Sequence, residues 1–161
     1  MNIRAATAGD AGAIAAIYNQ GIEDRSATFE TRPRSAADIL EWFDGRRIVV
    51  VAEDGGQVIG FGVTHPYSPR ECYAGIAEVS VYVDRSARGR GAGRAVVDRV
   101  IRLAVDRGWW KLIGRLFADN AASRALCRVC GFREVGVHYA HARLDGVWKD
   151  VVIVELNLPA R

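Results

Sequence analysis

The chain has little that would staple, kink or anchor it. It contains three cysteines, Cys72, Cys127 and Cys130, too few and too odd in number for a secreted disulfide framework, so a reduced, cytoplasmic setting is expected. Four prolines and one methionine occur among 161 residues. No repeat or low-complexity stretch breaks the sequence, and its length is about that of one average domain, which predicts a single domain over residues 1–161. Long apolar runs are missing too. Polar or charged residues fall within every apolar stretch, from Asn2 and Arg4 onward, arguing against a signal peptide or membrane anchor. Neither sign of charge dominates: 22 Lys and Arg face 19 Asp and Glu, a net of +3, too small by itself to indicate a nucleic-acid surface.

Half of the residues are hydrophobic and a quarter charged, the composition of a globular domain with a real core. The charge is unevenly spread. Between Arg85 and Arg107 lie seven Arg and two Asp, a local excess of five positive charges, which leaves the rest of the chain net negative.

Periodicity and turn chemistry predict an alternation of strands and helices. A short strand at Ile3–Ala6 precedes a helix at Asp10–Gly21, and Glu23–Pro33 reads as a long functional loop. A short helix at Ala36–Phe43 follows, then strands at Arg47–Glu53 and Gln57–Thr64 joined through Asp54-Gly55-Gly56. After a loop at His65–Arg70 come a strand at Tyr73–Val83, a helix at Arg90–Arg107, a strand at Lys111–Phe117 and a helix at Ala121–Val129. Strands at Arg133–Ala142 and Trp148–Asn157 close the chain. The simplest packing is α/β: a mixed, mostly antiparallel sheet with helices on both faces and Gly75–Val83 at its centre.

That central strand runs into Asp84-Arg85-Ser86-Ala87-Arg88-Gly89-Arg90-Gly91-Ala92-Gly93-Arg94 as a helix begins. A glycine-rich turn between strand and helix aims several backbone N–H groups at one point, where the helix dipole and nearby Arg side chains favour an anion such as a diphosphate. The glycines are spaced G-x-G-x-G, not G-x-G-x-x-G, and no Gly-Lys pair makes a Walker loop.

Arg88-x-x-Gly91-x-Gly93 resembles the coenzyme A pyrophosphate motif of the GNAT superfamily of N-acetyltransferases, Arg/Gln-x-x-Gly-x-Gly/Ala. Asn120, Ser123, Leu126, Gly131 and Phe132 resemble that family's downstream signature, and the element order is similar over essentially the whole chain. Within the superfamily the resemblance is closest to the phosphinothricin, methionine sulfoximine and arsinothricin N-acetyltransferases. It is carried by Ile17–Ile22 with Thr28–Thr31, by Pro69–Tyr73, by Ala77–Val83 and by Gly146–Val151.

The resemblance implies a GNAT fold and acetyl-CoA as co-substrate. It implies a coenzyme site at Val81, Tyr82, Val83, Arg88, Gly89, Arg90, Gly91, Ala92, Gly93, Arg94, Asn120 and Ser123, with Asn120 beside the pantetheine arm and the strand Lys111–Phe117 diverging to make the cleft. Strand alternation puts Glu78, Ser80 and Tyr82 on one face and Ala77, Val79, Val81 and Val83 on the other. A carboxylate in so apolar a strand is costly unless it faces solvent or a site, and the resemblance implies that Glu78 is the general base. Backbone N–H groups near Val79 to Val81 are the implied donors to the thioester oxygen. Cys127 stands where superfamily members often carry a tyrosine general acid. Arg70 and Tyr73 are the implied polar substrate contacts, and Phe29 the implied apolar one.

The implied reaction is acetylation of the α-amino group of a small toxic amino-acid analogue, giving resistance. Alternatives are another amine, such as an ordinary amino acid or a protein N-terminus, and a coenzyme A sensor without catalysis. Homodimers are implied, with Trp42, Trp109, Trp110 and Trp148 read as core or dimer surface. The C-x-x-C at Cys127 and Cys130 lacks a second ligand pair, so packing is expected there and no metal. His65, His138 and His141 lack metal-ligand spacing and read as loop or strand-end residues, of which His141 could reach a substrate. No nucleic-acid or membrane partner is expected.

Overall fold

The computed structural model describes residues 1–159; the last two positions of the expected 1–161 domain lie outside them. Strands Asn2–Ala5 (β1), Val49–Asp54 (β2), Gln57–Pro66 (β3), Ile76–Val83 (β4), Lys111–Phe117 (β5), Arg133–Leu144 (β6) and Val147–Asn157 (β7) form one sheet. Their order is β1-β2-β3-β4-β5-β7-β6, which puts β4 at the centre. Every neighbouring pair is antiparallel except β4 with β5. Helices Ala11–Asp24 (α1), Ala36–Leu40 (α2), Ala92–Asp106 (α3) and Ala121–Val129 (α4) cover it, and among the described residues no helix is long and apolar enough to cross a membrane.

Alternation along the inner strands separates two cores. Val50 and Ala52 of β2 point to the α3 side with Val96, Val97 and Val100, while Val49 and Val51 meet Ile14 and Ile17 of α1 on the other. In β4 the split is the expected one: Ala77, Val79, Val81 and Val83 pack on the α3 side and Tyr82 on the α1 side. Each fully buried Val or Ile contributes about 1.5–3 kcal/mol, so this pattern alone fixes which face each helix covers.

Several boundaries differ from expectation, each for a local reason. The first helix does not stop at Gly21 but runs to Asp24 and ends at left-handed Arg25. Gly21 serves packing instead, since a Cβ there would lie 2.7 Å from the Tyr82 ring. The central strand starts at Ile76, not Tyr73, because Glu71–Tyr73 is a turn of 3₁₀ helix and the Gly75 carbonyl accepts from the N–H groups of Trp110 and Lys111. The α3 helix begins at Ala92 after left-handed Gly91. The strand expected to end at Thr64 continues to Pro66, which carries His65 out of the expected loop and into the sheet. The Asp145-Gly146 turn, with φ of +50° and +77°, is the two-residue hairpin that such a pair favours.

The pairing that shapes the molecule is the shortest one. β4 and β5 match only at Ile76, Ala77 and Glu78, opposite Lys111, Leu112 and Ile113. Beyond those three pairs the strands part, and the N-terminal ends of α3 and α4 stand at the mouth of the wedge.

The seating of α3 against the sheet rests on Gly62, where a Cβ would fall 2.6 Å from Val96 Cγ1. Gly62→Ala is expected to lower stability by about 1–3 kcal/mol through overpacking, measured by urea unfolding. Adding Val96→Ala should return part of that loss, a non-additivity that the double-mutant cycle reads directly.

Candidate active site

Past Glu78 the edge of β4 that faces β5 has no strand beside it; alternation turns the backbone groups of Val81 and Val83 to that side, where Arg88 takes the Val83 carbonyl, while Ser80 and Tyr82 stay laddered to β3. Three spaces that share lining residues occupy this region. A slot of about 80 Å³ between the diverging strands is lined in part by Val79, Val81, Gly114, Leu116, Leu126 and Cys127. Past Tyr82, Asn120 and Ser123 it meets a groove of about 470 Å³ along the glycine turn. Past Ser80, Arg115 and Phe117 it meets a cavity of about 700 Å³, whose walls include Phe29, Arg34, Trp42, His65 and Glu78. Such a shape, wide at both ends and narrow between, admits an elongated ligand from one side and a small acceptor from the other.

The groove is built for an anion. Gly89 and Gly91 have φ of +76° and +87°, values that glycine adopts at little cost. Gly91 is the N-cap of α3 and supplies no side chain to it, so the first N–H groups of the helix stay uncommitted. Arg88 and Arg94 line the groove. Arg88 is held by Asp24, Nη2 to Oδ2 at 2.7 Å, and its Nε donates to the Val83 carbonyl at 3.2 Å. Arg85 donates to Asp24 and Glu23. Burial alone would raise the Asp24 carboxyl, yet Arg85 and Arg88 hold it below its ordinary value.

Of the residues expected to hold the coenzyme, Val81, Tyr82, Val83, Arg88, Gly89, Gly91, Ala92, Gly93, Arg94, Asn120 and Ser123 all line this groove. Arg90 does not: its guanidinium turns to Asp54 at 2.7 Å, beside the β2–β3 turn. Asn120 has two structural tasks besides, accepting from the Ser123 N–H as N-cap of α4 and donating to the Ser26 carbonyl at 2.9 Å. That second bond ties down the loop that follows α1, and the loop brings Phe29 edge-on to Phe117 at 4.7 Å in the acceptor cavity.

Glu78 lines the acceptor cavity, and both of its oxygens accept from Arg115, Nε at 2.9 Å and Nη2 at 2.5 Å. This pairing raises Arg115 above its ordinary pKa. His65 pairs with Glu78 across the β3–β4 ladder, edge-on to Trp42 at 5.8 Å. Burial lowers its pKa, Arg47 lowers it further and Glu78 opposes them, so the imidazole is neutral at pH 7. The Cys127 thiol in the slot is pushed up by burial, with Cys130 and Glu134 adding, to about 11.

Other expected residues are placed differently. Arg70 stacks over the Tyr73 ring at 5.5 Å, and Tyr73 meets Tyr67 edge-on, but neither Arg70 nor Tyr73 lines the cavity. His141 does line it, because β6 carries extra residues between His138 and Ala142 that stack the two histidines at 4.6 Å. Trp42 is a cavity wall as well as a core contact. The sequence singles out neither Arg34 nor Arg115, and it places His65 only in a loop or at a strand end. Arg115 bears a readable signal, a charge in the interior of a strand that is apolar from Leu112 to Phe117 apart from it, the same signal that singles out Glu78. Among the described residues no group of three or more His, Cys, Asp or Glu could hold a metal ion.

Residues 15–132 match the family described as the acetyltransferase (GNAT) family, and the chain belongs to it; the mixed sheet with its wedge is the GNAT fold. The chain is 32% identical to the L-methionine sulfoximine/L-methionine sulfone acetyltransferase of Pseudomonas paraeruginosa, covering 98% of this chain and 94% of the relative. Among solved structures, the ribosomal-protein-alanine N-acetyltransferase of Brucella melitensis superposes with a TM-score of 0.94 at 35% identity, over 98% of this chain and all of that one. A phosphinothricin acetyltransferase of Sinorhizobium meliloti, solved in complex with acetyl-CoA, gives 0.92 at 30% identity, over 98% of this chain and 88% of that one.

The balance of charges around His65 can be read by NMR titration. Its midpoint should fall below 6.5, rise in Arg47→Ala and fall further in Glu78→Gln. Since the folded protein favours neutral His65, its contribution to stability is full above pH 6.5 and is lost as the pH drops through the depressed midpoint.

Proposed function

We propose that the chain is an acetyl-CoA-dependent N-acetyltransferase for the α-amino group of small amino-acid analogues of the phosphinothricin, arsinothricin and methionine sulfoximine type, a detoxifying enzyme of the cytoplasm. The observation that carries this reading is the place of Glu78. It is the last β4 residue laddered to β5, and it faces the acceptor cavity next to the slot.

The groove and slot fit acetyl-CoA: uncapped helix N–H groups, Arg88 and Arg94 suit its diphosphate, and the apolar slot beside Asn120 suits its narrow arm. Acetyl-CoA, when bound, supplies an acyl group carried on a thiol leaving group. Glu78 accepts the proton of the acceptor's ammonium, directly or through a water, and so frees the nitrogen lone pair. Within the stretch Val79 to Val81 the N–H of Val81, beyond the last pair with β5 and on the side away from β3, donates to the acyl oxygen as it gains negative charge. Cys127 keeps its proton to about 11, so it is a poor acid toward a thiolate whose conjugate acid titrates near ~8.5. Departure as thiolate needs no side-chain acid.

The likeness to a ribosomal-protein-alanine N-acetyltransferase supports a second acceptor, a protein N-terminus. The small molecule is favoured because the loop pinned through Ser26 to Asn120 sets Phe29 into the cavity wall against Phe117, which narrows the acceptor space. Phe29 is the proposed apolar contact. Arg34 and Arg115 line the cavity and are better placed for an anionic group than Arg70 and Tyr73, which stand outside its lining.

The protein is also proposed to be a homodimer. Edge strand β6 exposes Val135, Val137 and Tyr139, and its neighbour β7 exposes Val147 and Trp148, exposed apolar side chains on a sheet edge of the kind that a protein contact covers. Light scattering should give a mass of two chains, falling to one in Tyr139→Lys with Trp148→Lys. A monomeric wild type would refute the dimer.

Thiol release from acetyl-CoA, measured with phosphinothricin, arsinothricin, methionine sulfoximine and an alanine-initiated peptide, tests the activity. Turnover of none of the three analogues would sink the assignment. Glu78→Gln should lower kcat by about 10²–10⁴-fold with the KM for acetyl-CoA little changed. Arg88→Gln should raise that KM about 10-fold and leave kcat within about twofold.

A further inference from the structure

Among the described residues Arg115 is the one charged side chain that lines both the slot and the acceptor cavity. Its guanidinium is half committed. Nε and one N–H of Nη2 are bonded to Glu78, while Nη1 and the second N–H of Nη2 have no hydrogen-bond partner among the described residues, and 53% of the side chain is exposed. The open edge is a planar, positive fork of the shape that takes a carboxylate with two parallel bonds. Beside it stands Glu78, which attracts a cation.

A positive and a negative group side by side match an α-amino acid, which bears a carboxylate and an ammonium on one carbon. We propose that Arg115 binds the acceptor's α-carboxylate through Nη1 and Nη2 while Glu78 faces the α-ammonium, so that the site selects free amino acids over simple amines and peptide N-termini. The inference rests on the amino-acid acetyltransferase reading given above and names the residue that enforces it.

The other cations are less suited to this task. Arg34 is paired with Glu30 at 3.4 Å and lies over the Tyr18 ring, and Arg70 is stacked on Tyr73 outside the cavity. Glu78 already holds Arg115 in one orientation, so little side-chain freedom remains to be lost when the acceptor arrives. Both acceptor charges then meet opposite charges, and neither is desolvated without a partner. An α-amide offers no negative charge, and the open edge of the guanidinium would face a neutral group.

The test compares phosphinothricin and methionine sulfone with their α-carboxamides, in the wild type and in Arg115→Gln and Arg115→Lys. Wild type should favour each acid over its amide by about 10- to 100-fold in kcat/KM, mostly through KM. This preference cannot come from amine basicity, because an amide's ammonium gives up its proton more readily. Arg115→Gln should bring the ratio to within about twofold of one, and Arg115→Lys should retain part of it. An acid-to-amide ratio near one in the wild type, or one unchanged in Arg115→Gln, would overturn the role of Arg115 while leaving the amino-acid activity standing. Turnover of neither acid would overturn that activity and this inference with it.

Discussion

The cleft exists because two strands at the centre of the sheet have better partners elsewhere. β4 is laddered to β3, and β5 to β7, over seven residue pairs each, while β4 and β5 share three. The two long ladders are antiparallel and the short one parallel, the slightly weaker kind per residue. Each central strand therefore follows its antiparallel neighbour as the sheet twists, and the seam between them opens. An opening of this sort would usually expose costly unpaired backbone groups. Here those groups line the slot between the strands, and Glu78, the last paired residue, stands where the pairing stops.

Charge in the cleft is arranged as pairs that a ligand can share or displace. Asp24 steadies Arg88 at the groove, and Glu78 steadies Arg115 in the acceptor cavity. Side chains pre-oriented in this way lose little freedom on binding. The positive excess between Arg85 and Arg107 lies only partly in the groove. Arg88 and Arg94 line the groove, whereas Arg90 secures the β2–β3 turn through Asp54 and Arg107 donates to the carbonyls of Arg46 and Arg47. Half-exposed pairs of this kind contribute little to stability, about 0–1 kcal/mol each, so their effect lies in orientation.

Much of the fold was legible because its signals are short in range. The strand Lys111–Phe117 and the helix Ala121–Val129 fall where periodicity put them, and the central position of the Glu78 strand followed from element order. Misjudged boundaries share a cause: Gly21 resembles a helix stop, and only the approach of Tyr82 shows that it is a packing residue. Pro66 makes His65 read as a loop residue, yet the ladder extends through both, opposite Glu78 and Ala77.

The amino-acid sequence by itself determined the glycine turn at the start of a helix, the alternation that gives Glu78 and Tyr82 one face, and the family to which these patterns belong. Each depends on residues a few positions apart or on a fixed period, so neighbours along the chain suffice. Tertiary structure alone decided that Arg115 grips Glu78 across 37 residues of sequence, that Arg90 turns away from the groove, and that Arg34 and His65 line the large cavity while Arg70 does not. These outcomes depend on which strands pair, in what register and where the pairing stops, and those are properties of the assembled sheet.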